Sequence, residues 1–428
     1  MSHRIHSLKA RQIWDSRGRP TVEADVRLEG GGFGRAAAPA GASRGIHEAI
    51  DLRDGGNRFG GFGVDKAIAN VNGVIATAFA GRQADQEALD TLLAELDGTP
   101  NFSRLGGNAT VAVSLALAHA LADAQGTALW RHLAAGNKVR LPVPEIQIFG
   151  GGAHAGRRTD IQDFMIMVPG AESLRRAFEI TADVYRAAGN MMAEENRLSG
   201  TADEGGWWPN FSSNEDGLSS LTRAIEKAGY KPGDDVFISL DIAASEFYRT
   251  GFYQLGLDGQ KLDTDGMIDL VTGWCARYPI LSIEDAVAQD HFEAMVKATK
   301  ALGGKVQVVG DDFLVTDAVR VRRAAEAGAC NCALIKVNQA GTVSRALAAL
   351  KEAKTAGWGA IVSARSGETE DVSIAHLATG WDSGQFKVGS FARSERMAKW
   401  NELLRIEEEM GDDAQFAGWS GLPESVRR

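Results

Sequence analysis

Ile280-Leu281-Ser282-Ile283-Glu284 is an apolar run of strand length that stops on an acid. The pattern recurs downstream. Residues 306–309 lead through Gly310 to Asp311, residues 333–335 stop on Lys336, and residues 361–363 lead through Ala364 to Arg365 and Ser366. Upstream, residues 236–240 stop on Asp241, and the last short run, 385–388, carries Lys387 inside it. From Glu284 onward the charged groups follow one another at 27, 25, 29 and 22 residues, about one strand-plus-helix unit each. Strands alternating with helices make a parallel sheet. Several such units over residues 136–428 predict a TIM-like barrel, with a doubly wound open sheet as the alternative.

Residues 1–135 have a different rhythm. Strands are predicted over 5–14 and 21–29, flanking the turn Asp15-Ser16-Arg17-Gly18-Arg19-Pro20. Gly- and Ala-rich loops follow, then helices over 64–80, 86–96 and 109–124. This reads as a separate small α+β domain, so the fold class is α/β with an N-terminal α+β appendage.

Composition narrows the function. The 428 residues are 44% hydrophobic and 24% charged, a globular balance that excludes global disorder. Acids outnumber bases 56 to 46, for a net charge of −10, which argues against a nucleic-acid partner. No apolar stretch reaches the length of a membrane span, and the first residues lack a secretory pattern, so a cytoplasmic location is expected. Cys275, Cys330 and Cys332 are too few and too poorly spaced for a disulfide framework. Cys330 and Cys332 border an apolar run and are expected to pack in the core.

In a barrel all strand C-termini surround one mouth, where catalytic groups sit. A single charge at a strand end often only caps the next helix. Three carboxylates, two lysines and an arginine at consecutive ends form a site. Asp241, Glu284 and Asp311 converging in a dry mouth repel one another unless a hard cation joins them, and all-oxygen ligands suit Mg²⁺ better than zinc. A lysine beside a dication should lose its proton more easily and serve as general base. Arg365 with Ser366 suits a phosphate. Together these describe proton abstraction from an anionic carbon acid with the enolate stabilised by metal.

These residues, in this order, resemble the enolase (phosphopyruvate hydratase) family over about residues 5–410. The matching segments include Asp15-Ser16-Arg17-Gly18, Ala38-Pro39-Ala40-Gly41-Ala42-Ser43, Asp203-Glu204-Gly205-Gly206 and Ser282-Ile283-Glu284-Asp285. Leu334-Ile335-Lys336-Val337-Asn338-Gln339 and Arg365-Ser366-Gly367-Glu368 complete them. The resemblance implies an N-terminal capping domain over a barrel that opens with antiparallel strands, and a homodimer. It implies Asp241, Glu284 and Asp311 as ligands of a first Mg²⁺ and Ser43 as a ligand of a second. It makes Lys336 the base that removes the proton alpha to a carboxylate. Lys387 would hold that carboxylate, and Arg365 and Ser366 the phosphate. Glu204 would assist departure of the hydroxyl, with His154, Gln162 and Asp163 nearby. A carboxyl among other acids can carry a raised pKa and so act as that acid.

The departures cluster at the same site. The family has His where this chain has Ala364, and Glu where it has Asp163. Ala40 and Arg44 replace Ser and Thr in the flexible loop, and Arg157 and Arg158 enter the loop after His154. Three readings follow. The first is dehydration of 2-phosphoglycerate to phosphoenolpyruvate. The second is a specialist for a related phosphorylated or phosphonate carboxylic acid, of the carboxyphosphonoenolpyruvate synthase type, with Arg44, Arg157 or Arg158 available to a second anion. The third is a non-catalytic binding protein, against which the complete Asp241, Glu284, Asp311 and Lys336 set argues. Residues 414–428 match no motif and are expected to form a packed tail.

Overall fold

The computed structural model describes residues 3–42, 45–302 and 304–427. The first region is an antiparallel sheet of β1 (Ile5–Trp14), β2 (Pro20–Leu28) and β3 (Phe33–Ala37). Alternation along β2 buries Val22, Ala24, Val26 and Leu28, and this face packs on the helix Gly107–Ala124. That helix is buried around nearly its whole circumference, because its Ala-rich surface lets neighbours approach from every side. The closest approach is at Gly34, where a Cβ would lie 1.9 Å from the Ala116 carbonyl oxygen. Only glycine fits there.

The sequence predicts one continuous helix over 64–80. The structure interrupts it with a wide π turn at Val71–Ile75 between Asp65–Asn70 and Ala76–Phe79. Asn72, in that turn, accepts from the Ala10 amide at 2.7 Å and donates to its carbonyl at 3.1 Å. The distortion ties the helix to β1.

Eight strands close the barrel: β4 (Val143–Gly150), β5 (Asp163–Met167), β6 (Phe237–Asp241), β7 (Ile280–Glu284), β8 (Gln307–Gly310), β9 (Cys332–Ile335), β10 (Gly359–Ser363) and β11 (Gly384–Ser390). Pairing of β11 with β4 seals the cylinder and excludes the open sheet. Strand β5 runs antiparallel to both neighbours, and all other pairs are parallel. A short hairpin, Leu198–Thr201 with Trp207–Pro209, extends from β4. Cys330 and Cys332 are buried, as expected. Among the described residues no helix is long and apolar enough to cross a membrane.

The tail packs as expected and has a definite task. Ala417, Leu422 and Val426 join Val143, Met167, Phe237 and Leu281 in one cluster at the end of the barrel where β4, β6 and β7 begin and the reversed β5 finishes. Trp419 stands edge-on to Phe237 with ring centroids 5.2 Å apart. The tail thus closes the barrel at the end away from the strand C-termini. Leu422→Ala leaves a cavity in this plug and should lower unfolding free energy by about 2–5 kcal/mol. Urea denaturation monitored by circular dichroism would measure it, and a loss below ~1 kcal/mol would contradict the plug.

Candidate active site

The barrel brings the predicted residues to one mouth. Asp241 and Glu284 are the last residues of β6 and β7. Asp311 and Lys336 follow β8 and β9 directly, and Arg365 and Ser366 lie just beyond β10. Lys387 is within β11. The reversed β5 contributes from its start instead, so Asp163 pairs in register with Asp241. Gln162 precedes it, and His154 lies in the short turn Gly152–Ala155 between β4 and β5. Glu204 comes from the loop of the added hairpin. His154, Gln162, Asp163, Glu204, Asp241, Lys336, Ala364, Arg365, Ser366 and Lys387 all line one cavity. Ser43 and Arg44 lie outside the described residues.

Two ammonium groups organise the acids. Lys387 Nζ donates to Asp241 Oδ2 at 2.9 Å and Glu284 Oε2 at 2.7 Å, and lies 3.9 Å from Asp163 Oδ2. Lys336 Nζ donates to Asp311 Oδ2. Gln162 Nε2 donates to Asp241 Oδ2 at 3.0 Å. Burial and the nearby Asp241 push Glu284 well above the usual carboxylate range, against the pull of Lys387. Burial opposes the charge on Lys387, but Asp241 and Glu284 outweigh it and hold the ammonium well above its ordinary pKa. Burial likewise opposes charge on Asp311 and Lys336, yet each holds the other ionised: Asp311 is lowered and Lys336 raised. The lowered lysine expected from sequence concerns a lysine beside a dication. The protein's own groups act the other way.

The donor set fits a hard cation. Glu284 Oε1 and Gln162 Oε1 are buried oxygens without a hydrogen-bond partner among the described residues. Ligand oxygens of Asp285, Asp311 and Asp312 lie within 4.8 Å of one another. Asp285 uses its two oxygens to accept from the amides of Asp311 and Asp312, at 3.0 and 2.8 Å, and so supports the turn that presents Asp311.

A second cluster faces it. His154, Asp163 and Glu204 also bring ligand atoms within 4.8 Å of one another. His154 Nδ1 is 3.2 Å from Asp163 Oδ1, and its Nε2 is 3.7 Å from Glu204 Oε1. Burial disfavours the imidazolium, but Glu204 and Asp163 overcome this and raise His154 to about 9. Gln147 also donates to Asp163.

The corner around Arg365 and Ser366 is assembled from both domains. Arg365 Nη1 donates to Glu48 Oε2 at 2.7 Å and to Asn338 Oδ1 at 3.2 Å. Ser366 Oγ accepts from the Ala42 amide at 2.7 Å and from Arg17 Nη1 at 3.2 Å. Arg396, fully buried, donates to the carbonyls of Arg365, Ser366 and Val388. Arg157 is engaged by Glu246 at 2.9 Å. Arg158 donates to Ser199 at 2.6 Å and lies 5.4 Å from the Trp208 ring. Both arginines on the loop that carries His154 thus have partners within the protein.

Glu48, Gln147, Asn338 and Arg396 escape a reading of strand ends. Gln147 alone leaves a signal: with Glu145 it places polar residues two apart in an apolar strand, on one face. The others act across domains or from a helix, where neighbours in sequence say nothing of neighbours in space.

Residues 5–133 match the family model described as enolase, N-terminal domain. Residues 138–424 match the one described as enolase, C-terminal TIM barrel domain. The chain belongs to the enolase family, and the family type is that of a lyase.

The raised pKa of His154 has a definite sign. A folded pKa of about 9 against an ordinary 6.5 gives stability that is complete below pH 6.5 and disappears as pH rises through 9. The His154 Cε1–H resonance should titrate near pH 9, and Glu204→Gln should shift its midpoint downward. A midpoint at or below 6.5 would contradict the triad.

Proposed function

We propose that this enolase-family enzyme removes the proton alpha to a carboxylate in a Mg²⁺-dependent reaction and dehydrates 2-phosphoglycerate to phosphoenolpyruvate. The observation that carries this is the placement of Lys336 and Lys387 among Asp241, Glu284 and Asp311 at one buried mouth, with Arg365 and Ser366 on its rim.

Asp241, Glu284 and Asp311 are the residues that would hold the first Mg²⁺, with Ser43 assigned to a second by family resemblance alone. Bound there, the metal supplies positive charge against the dianion that forms when a carbon acid next to a carboxylate ionises. Lys387 adds a fixed cation for the substrate carboxylate. Lys336 is the base. It acts as a neutral amine, so its ammonium must first pass a proton to water and release Asp311, a loss that a cation held by Asp311 would favour. Arg365 and Ser366 orient the phosphorylated end. Glu204 assists departure of the hydroxyl, and the proton that leaves with it comes from the charged His154, whose Nε2 lies 3.7 Å from Glu204 Oε1. The partner is a small phosphorylated carboxylate, the assembly a homodimer, and the compartment the cytoplasm; neither nucleic acid nor membrane takes part.

A second reading has its own observation. Ala364 lines the cavity between Ser363 and Arg365, where the family's His would put an imidazole at the leaving-group end. Asp163, a shorter acid, is held by Gln147 and His154. These features favour a related phosphorylated or phosphonate acid, of the kind used by carboxyphosphonoenolpyruvate synthase.

Turnover of 2-phosphoglycerate with Mg²⁺, followed by enol absorbance, tests the first reading. It should be metal-dependent and fall about 10²–10⁴-fold in Lys336→Ala. Wild-type protein inert toward 2-phosphoglycerate would overturn it. Ala364→His separates the two: a large gain in that turnover favours the specialist, and no change favours 2-phosphoglycerate as the native substrate.

A further inference from the structure

Lys336 begins and ends a closed ring of hydrogen bonds. Its backbone amide donates to Thr316 Oγ1 at 2.9 Å. The Thr316 hydroxyl donates to Gln339 Oε1 at 2.7 Å. Gln339 Nε2 donates to Asp311 Oδ1 at 2.9 Å. The other Asp311 oxygen, Oδ2, receives the Lys336 ammonium. All four residues are buried.

The ring has a direction. Thr316 has one proton, and giving it to Gln339 Oε1 fixes which end of the amide faces Asp311. A flipped amide would set its oxygen against a carboxylate. The backbone is strained to make this possible: Val315 and Thr316, both β-branched, stand in the left-handed region at φ 47° and 52°. The Gln339 carbonyl also accepts from the Ala49 amide at 2.8 Å, which anchors the segment carrying Glu48.

We infer that Thr316 and Gln339 are positioning residues that reserve Asp311 Oδ1 and leave Oδ2 as the oxygen that holds Lys336 and that would be open to a cation. The inference rests on the roles proposed above for Asp311 and Lys336. It explains why a polar pair and a strained turn lie behind the site without lining its cavity. It also couples the two roles, since whatever draws Oδ2 away frees the ammonium that the same ring holds in place.

The test compares wild type with Gln339→Met, Thr316→Val, the double variant and Thr316→Ser, each first shown to be folded by circular dichroism. Mg²⁺ alone is titrated calorimetrically. Gln339→Met and Thr316→Val should each weaken Mg²⁺ binding about tenfold or more. The double variant should be no worse than the weaker single, because one ring is broken once. Thr316→Ser, which keeps the hydroxyl, should stay within about threefold of wild type. Without metal, the Lys336 ammonium resonance should be visible by ¹⁵N-edited NMR in wild type and lost in Gln339→Met. Mg²⁺ affinities within twofold of wild type and an unchanged resonance would overturn the ring. Wild type that binds no Mg²⁺, but loses the Lys336 resonance in Gln339→Met, would refute the metal reading and leave the positioning of Lys336 by the ring upheld.

Discussion

Buried carboxylates at the mouth of a barrel repel one another, and no dry site can hold several of them ionised without cations between. In this protein Lys387 bridges Asp241 and Glu284, and Lys336 meets Asp311. Much else in the molecule serves that arrangement. The parallel strands supply its members one by one. The reversed β5 adds Asp163 in register with Asp241. The C-terminal tail seals the far end, so that the mouth is the open one. On the role proposed for it, Lys336 has to lose its proton before it can accept one from substrate, and a positive charge that replaced it on Asp311 would allow that loss. A hard cation is the natural replacement.

The capping domain is part of the site. Ala42 and Arg17 meet Ser366, and Glu48 meets Arg365. These contacts place first-region residues against groups at the end of β10, so this corner of the mouth is built by both domains. Lys399 donates to the Thr369 carbonyl at 2.8 Å and lies 3.2 Å from Glu368, while Arg396 holds the backbone of Arg365 and Ser366. Neither cation has a surface role. They fix the loop after β10 from behind.

The barrel was legible in the sequence because each of its later strands is a short apolar run ending in, or leading to, a charged residue, and the spacing between those charges is that of a βα unit. The capping domain was legible in outline through alternation in β2 and the Ala-rich helix. What was not legible acts at a distance in sequence. The π turn at Val71–Ile75 follows from Asn72 bonding Ala10, which no local propensity reports. Glu48, Asn338 and Arg396 look like ordinary surface or helix residues until the fold brings them to Arg365. The second reading offers Arg157 and Arg158 to a further anion, and their neighbours Glu246, Ser199 and Trp208 are distant in sequence. For Lys336 the sequence argument supplied the expected effect of a dication, while the structure shows the ion pair with Asp311.

In the proposed reaction Lys336 takes the proton alpha to the carboxylate, whatever then happens at the altered leaving-group end. Exchange of that proton isolates this half of the reaction from elimination. 2-Phosphoglycerate incubated with the protein and Mg²⁺ in D₂O, and followed by ¹H NMR, should lose its alpha-proton signal to deuterium or to product. The loss should require Mg²⁺ and vanish in Lys336→Gln. An alpha proton that stays in place with wild type, or exchanges as fast in Lys336→Gln, would contradict the account.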